Sequence, residues 1–203
     1  VLEKLDELGL GMDSEVIIPE EAVGIEGSSI YLKKGERMSI EELLYGLMLQ
    51  SGNDSATALA MCVGGSLSSF ASMMNAKAEA LGCSGTHFTN PSGLYEENHY
   101  TTAADLARIA GEAMKREDFR KIVSAKDWQN KDGSRSFHNK NKTVFQYDGA
   151  TGIKIGFTKA SGRTLVASAK RDDKEMIAVV LCDGNWFNDA YALMDYGFQQ
   201  GGK

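Results

Sequence analysis

Apolar residues recur at helical spacing over several stretches of the first 125 residues, and at strand-like density after residue 150. Val1, Leu2, Leu5 and Leu8 follow a helical period that Gly9 stops. No Ser, Thr, Asp or Asn precedes Val1 to cap that helix, so the chain is expected to open inside one. Glu15-Val16-Ile17-Ile18 is short and β-branched, and Pro19 ends it as a minor strand. Ser28 to Arg37 holds the apolar piece Ile30-Tyr31-Leu32 and a Lys-Lys-Gly turn. The spacing then predicts a helix from Ser39, where Ser39-Ile40-Glu41-Glu42 reads as a capping box. Its apolar stripe is Ile40, Leu43, Leu44, Leu47 and Met48.

That helix breaks at Ser51-Gly52-Asn53, and Asp54-Ser55 can cap a second one over 55–63. A third is expected from Ser68 to Leu81, closed by Gly82. Residues 83–100 read as a polar loop holding Asn90-Pro91-Ser92-Gly93. Thr102-Ala103-Ala104-Asp105 reads as another capping box, opening a helix to Met114, with a shorter helix over Asp118–Ser124. Lys126 to Gly149 is polar with interspersed aromatics, and reads as loops with short strands. Ile153–Thr158, Thr164–Lys170 and Glu175–Cys182 are predicted strands, the last two joined by an Arg171-Asp172-Asp173-Lys174 hairpin turn. A helix over Asn188–Phe198 follows. Helices, then antiparallel strands, then a helix define an α+β class: one domain, with a helical lobe over 39–125 and a sheet with its closing helix over 150–198.

Composition narrows the function. With 203 residues, 42% hydrophobic and 25% charged, the chain is long enough to bury a core. Its net charge of -6, with Lys and Arg scattered, argues against a nucleic-acid surface and a polybasic membrane patch. Three cysteines, Cys62, Cys83 and Cys182, have no metal-like spacing and read as buried or free thiols. No cofactor or metal is implied.

Two short motifs carry candidate chemistry. Ser51 and Asn53, on a sharp turn between helices, can point both side chains into one cleft. The hydroxyl exchanges a proton, and the carboxamide holds an amide. Alone, Ser-Gly-Asn is ordinary turn chemistry. Lys154, in Gly152-Ile153-Lys154-Ile155-Gly156-Phe157-Thr158, is a lysine on an otherwise apolar strand with a glycine two residues on. It reads either as a charge aimed into a cleft or as an edge-strand lysine facing water.

Together, and with the long stretches around them, these motifs resemble the penicillin-binding D-alanyl-D-alanine carboxypeptidases. The matching stretches are Gly27 to Leu32, Leu43 to Asp54, Thr86 to Leu94, His99 to Ala107, Gly152 to Thr158 and Leu165 to Arg171. The resemblance implies a β-lactamase/transpeptidase-like fold, and a site of three motifs: Ser-x-x-Lys, Ser-x-Asn and Lys-Thr-Gly. It carries the second onto Ser51 and Asn53, and the third onto Lys154 and Gly156. By analogy Ser51 relays a proton to the leaving amine and Asn53 binds the substrate amide. Lys154 supplies positive charge near Ser51 and the substrate carboxylate, and the Phe157 N–H is one oxyanion donor. The implied partners are peptidoglycan stem peptides and β-lactam antibiotics, and the implied place is the cell envelope, with membrane association through segments outside this chain.

The chain departs from the pattern in three places. None of its lysines has a serine three residues before it, so no Ser-x-x-Lys nucleophile lies within it. The nucleophile, and the family's first two strands, are expected upstream of Val1. Ile155 stands where the family has threonine, whose hydroxyl helps hold the substrate carboxylate. Asn185-Trp186-Phe187-Asn188-Asp189 offers no arginine for that carboxylate. Two other readings compete: a muropeptide- or protein-binding relative without turnover, and a serine β-lactamase. His87 and His99 are expected to fix loops, His138 to sit on the surface, Met48 to fill core, and Asp105 to serve as a helix-start carboxylate.

Overall fold

The computed structural model describes residues 1–200. It is a mixed structure of helices and antiparallel strands, as the pattern predicts. The contacts divide it into two compact units, each assembled from separate stretches of sequence.

The first unit comprises Val1–Lys77, His87–His99 and Asp127–His138. It opens with α1 (Leu2–Leu8), which Gly9 ends in the left-handed region at φ 66°. Strand β1 (Glu15–Ile17) pairs antiparallel with β2 (Arg37–Ser39), placing Val16 opposite Met38, both buried. β2 is absent from the sequence reading because Arg37-Met38-Ser39 has no strand composition; its pairing with β1 makes it a strand. Helix α2 (Ile40–Gln50) starts with the expected capping box: Glu42 N–H donates to Ser39 Oγ, and Ser39 N–H donates to the Glu42 carboxylate. Its buried face is Ile40, Leu43, Leu44, Tyr45, Gly46 and Leu49. Leu47 and Met48 are only half-buried, so the seam runs one residue round from the expected stripe. Helix α3 (Asn53–Gly64) packs against α2 and is followed by α4 (Leu67–Ala80), which runs on into the second unit. A hairpin of β3 (Asp127–Gln129) and β4 (Ser136–His138) completes this unit, with Trp128 stacked between Tyr45 and Phe137.

The second unit comprises Ala78–Thr86, Tyr100–Lys126 and the chain from Asn139. Helix α5 (Ala103–Ala113) is capped by Thr102, whose hydroxyl accepts from Asp105 N–H. The Asp105 carboxylate does not complete a capping box. It accepts instead from Gly85 N–H, Thr86 Oγ1 and Arg108, tying the helix start to the preceding loop. Helix α6 (Glu117–Ser124) is fixed to the sheet by Arg120, which forks onto both oxygens of Glu175. A single helical turn, α7 (Thr143–Gln146), lies in the stretch read as loop. The sheet is a three-stranded antiparallel meander of β5 (Ala150–Thr158), β6 (Gly162–Arg171) and β7 (Lys174–Val180). Only Asp172 and Asp173 lie between β6 and β7, with Asp172 at φ 53°, so the predicted hairpin is a tight one. Helix α8 (Trp186–Gln200) covers the sheet and, with Leu165, Ala167, Ala169, Ala178, Val180, Ala190 and Met194, forms its core. The small alanines let the helix approach the strands closely.

Candidate functional site

The sequence-derived site residues fall on both units, so each group is described within its own. Ser51, Asn53 and their supports belong to the first. Lys154, Ile155, Gly156 and Phe157 belong to the second.

Ser51 follows the last residue of α2 and adopts φ 60°, ψ 38°, the left-handed conformation in which helices are usually ended by glycine. A residue with a Cβ pays about 1 kcal/mol for that backbone. The N–H of Gly52 bonds to the Gly46 carbonyl at 3.1 Å, so the turn is tied back to the helix. Strain of this kind, held by surrounding bonds, gathers at functional positions.

Asn53 opens α3, and the sequence reading of Asp54-Ser55 as its cap is corrected here. The N-cap is Gly52, with no side-chain cap bond, and the Asp54 carboxylate serves elsewhere. Asp54 is 1% exposed and accepts from Ser29 Oγ at 2.6 Å, Ile30 N–H at 3.0 Å, Leu32 N–H at 3.2 Å and Ser55 N–H at 2.9 Å. Asn53 adds two bonds to the same segment: its N–H reaches the Ser28 carbonyl and its Nδ2 the Glu26 carbonyl, both at 2.8 Å. Gly27, at φ 85°, passes so close that a Cβ there would lie 2.8 Å from Asn53 Nδ2. With its amino group held this way, the carboxamide presents its oxygen as an acceptor.

In the second unit, Lys154 lies opposite Val166 on β5, and its Nζ donates to the Ile155 carbonyl at 2.9 Å. Burial, and secondarily the neighbouring charge of Lys140, bring its ammonium down from 10.5 to about 8. This is no solvent-facing edge lysine. An amine with that value is part-neutral near physiological pH, able to pass protons as well as to attract an anion. Ile155 packs on the apolar cluster of β6, β7 and α8, so its side chain gains core contact and brings no hydroxyl. At Gly156 an added Cβ would lie 2.6 Å from Thr164 Oγ1, so the neighbouring strand alone accounts for the glycine. Phe157 is 67% exposed.

Lys140 is a residue that the sequence reading passed over. It stands between Asn139 and Asn141, both buried. Asn139 Nδ2 donates to the carbonyls of Ala125 (2.8 Å) and Val123 (3.5 Å), and its Oδ1 accepts from Asn141 N–H. Asn141 in turn accepts from Thr143 N–H. The alternation Asn-Lys-Asn, in a stretch read only as polar loop, was the available signal. Two buried asparagines hold the backbone on either side of a cation whose field reaches Lys154.

The remaining candidates have structural partners. His87 Nδ1 donates to the Asn98 carbonyl, and His99 Nδ1 accepts from Thr89 N–H, each fixing a loop. Burial lowers the His99 imidazole. His138 is exposed and pairs with Asp127. Burial raises Asp105, but Thr86, Gly85 and Arg108 outweigh it and hold the carboxyl below its ordinary value. Cys62, Cys83 and Cys182 are unbridged. Among the described residues no group of His, Cys, Asp and Glu could hold a metal ion, and no single helix is long and apolar enough to cross a membrane.

The profile of the D-alanyl-D-alanine carboxypeptidase family matches residues 1–185. The chain is 38% identical over 183 residues to D-alanyl-D-alanine carboxypeptidase DacF of Bacillus subtilis, covering 89% of this chain and 47% of that protein. It is 33% identical to the D-alanyl-D-alanine carboxypeptidase of Streptomyces sp. strain K15, covering 96% and 74%. Among solved structures, the Streptomyces K15 DD-transpeptidase superposes with a TM-score of 0.86 at 34% identity, over 94% of this chain and 80% of that one. DacD from Francisella tularensis superposes at 0.88 with 27% identity, over 97% and 60%. The chain thus spans about half the length of the DacF relative. This chain belongs to the D-alanyl-D-alanine carboxypeptidase family.

Proposed function

We propose that this chain supplies the second and third motifs of a serine-type carboxypeptidase that removes the terminal D-alanine from peptidoglycan stem peptides. The observation that carries the reading is the Ser51-Gly52-Asn53 turn, held in a strained left-handed conformation in a chain of this family. A serine nucleophile, expected on residues before Val1, attacks the penultimate D-alanine carbonyl and releases the last D-alanine. Water then hydrolyses the acyl-enzyme, and a β-lactam stalls at that step.

In this reading Ser51 passes a proton to the departing amine, and Asn53 accepts from the substrate amide through its fixed carboxamide oxygen. Lys154, with its ammonium near 8, can exchange a proton and, with Lys140, provides the positive field for the terminal carboxylate. That field offers an answer to Ile155, whose side chain brings no hydroxyl. Gly156 and Phe157 form the substrate-facing backbone. The Ile155 carbonyl that takes Lys154 Nζ lies on the side of β5 away from β6, and by the period of two the Phe157 N–H shares that side. An N–H left outside the ladder is a suitable oxyanion donor. The proposed place of action is the cell envelope.

The test is labelled penicillin, applied to the gene product that contains these residues, with D-alanine release from a D-Ala-D-Ala peptide measured alongside. A stable covalent adduct together with D-alanine release supports the carboxypeptidase. An adduct that turns over rapidly, without peptide cleavage, favours a β-lactamase. Peptide binding with neither adduct nor release favours a muropeptide-binding relative, and overturns the proposal.

A further inference from the structure

Ser51 holds a left-handed backbone conformation that is costly for a residue with a side chain, and the Gly52 N–H on the Gly46 carbonyl ties the turn back to α2. The second constraint is on the residue before it. Gln50, the last residue of α2, sends its Nε2 to the backbone carbonyl of His138 at 2.7 Å, across 88 residues of sequence. The acceptor is not on a loose loop. His138 ends β4, pairs in register with Asp127 of β3, and meets that residue's carboxylate through its ring at 2.6 Å. The hairpin is itself fastened to α2 at two earlier points, by Asn130 Nδ2 on the Glu42 carboxylate at 3.0 Å and by Trp128 on the Tyr45 ring. Contacts at 42, 45 and 50 therefore run the length of one helix. The Gln50 bond is the one at its end, where helices fray and where Ser51 must be held.

We propose that Gln50 is a positioning residue for the reaction: its side-chain amide ties the last turn of α2 to the β3–β4 hairpin and thereby keeps Ser51 in its left-handed pose. This rests on the reading of Ser51 as the proton relay. A glutamine suits the task because its amide donates to a carbonyl at any pH, whereas an ionised glutamate has no proton to give. Without the tether the turn relaxes toward ordinary helical backbone, moving the Ser51 hydroxyl while leaving the core of the unit intact.

The test compares Gln50→Ala, Gln50→Glu and Ser51→Ala in the full gene product, measuring kcat and KM for D-alanine release from a D-Ala-D-Ala peptide. Gln50→Ala is expected to lower kcat by about 10- to 100-fold with KM changed by about twofold or less. Gln50→Glu should match it at pH 7, yet recover relative to wild type as pH falls through the glutamate range near 4.3, where the carboxyl regains its donor proton. If Ser51→Ala retains wild-type turnover, the relay reading fails. If Ser51→Ala loses turnover but Gln50→Ala keeps its kcat, the positioning role alone is overturned. Should Gln50→Ala not fold, Gln50→Glu decides: a ratio to wild type that is flat with pH overturns the proposal.

Discussion

The Ser51 turn and the Lys154 strand are built by opposite means. The turn is held by polar groups: Asp54 grips four donors, Asn53 two carbonyls, and Gln50 a third. The strand is held by apolar packing, with Ile155 on an alanine-rich core beneath α8 and a lysine partly buried beside it. Hydrogen bonds fix direction, so the first region can hold a strained serine and a fixed carboxamide. Packing fixes position and excludes water, so the second can shift the proton affinity of an amine. The two regions are accordingly expected to answer mutation differently.

The largest effect is expected at the polar clamp. Asp54→Ala strips a buried acceptor from two backbone N–H groups and a hydroxyl of the 29–32 segment, and should cost about 3 kcal/mol in denaturant unfolding. A cost below about 1 kcal/mol would mean that water replaces the carboxylate, and the contrast between the regions would weaken.

Lys154→Met should move stability the other way. Replacing a charge held in a desolvating site by a side chain of similar length is expected to stabilise by about 1–3 kcal/mol at pH 7 while abolishing turnover. The pH dependence fixes the sign. The ammonium titrates near 8 in the folded chain and near 10.5 when unfolded, so between those values the unfolded chain binds more protons. Wild-type stability therefore gains a rising contribution from pH 8 to about 10.5, which Lys154→Met should lack. A parallel pH profile in the two proteins would contradict the burial of this amine.

The smallest effect is expected at Ile155→Thr. It trades core contact for a hydroxyl, and should cost about 1 kcal/mol of stability. In return KM for a D-Ala-D-Ala peptide should fall about threefold to tenfold, as one more donor meets the carboxylate. An unchanged KM would show that the Lys140–Lys154 field suffices.

The same contrast explains what could be read from the sequence. Local signals were legible: the capping box at Ser39, the glycine stop after α1 and the hairpin turn between β6 and β7. The Asp54 clamp was not, because its partners lie 22 to 25 residues away in the chain, and an acidic residue near a helix start reads as a cap. Likewise β2 exists through its pairing with β1. The lowered Lys154 ammonium depends on burial and on Lys140, neither of which strand periodicity contains. Gln50 looked like one more polar residue at a helix end, since its acceptor is supplied by a distant hairpin. Ser51 and Asn53 became candidates through the family's motif order, and their geometry needed the fold.

The most direct test of the central claim is the rate at which labelled penicillin acylates the gene product carrying Ser51→Ala, compared with wild type. The account predicts a fall of at least about 100-fold with unchanged thermal stability, because the proton relay is lost while the turn persists. Acylation at the wild-type rate would contradict it, and Ser51 would then be no more than the polar end of a helix.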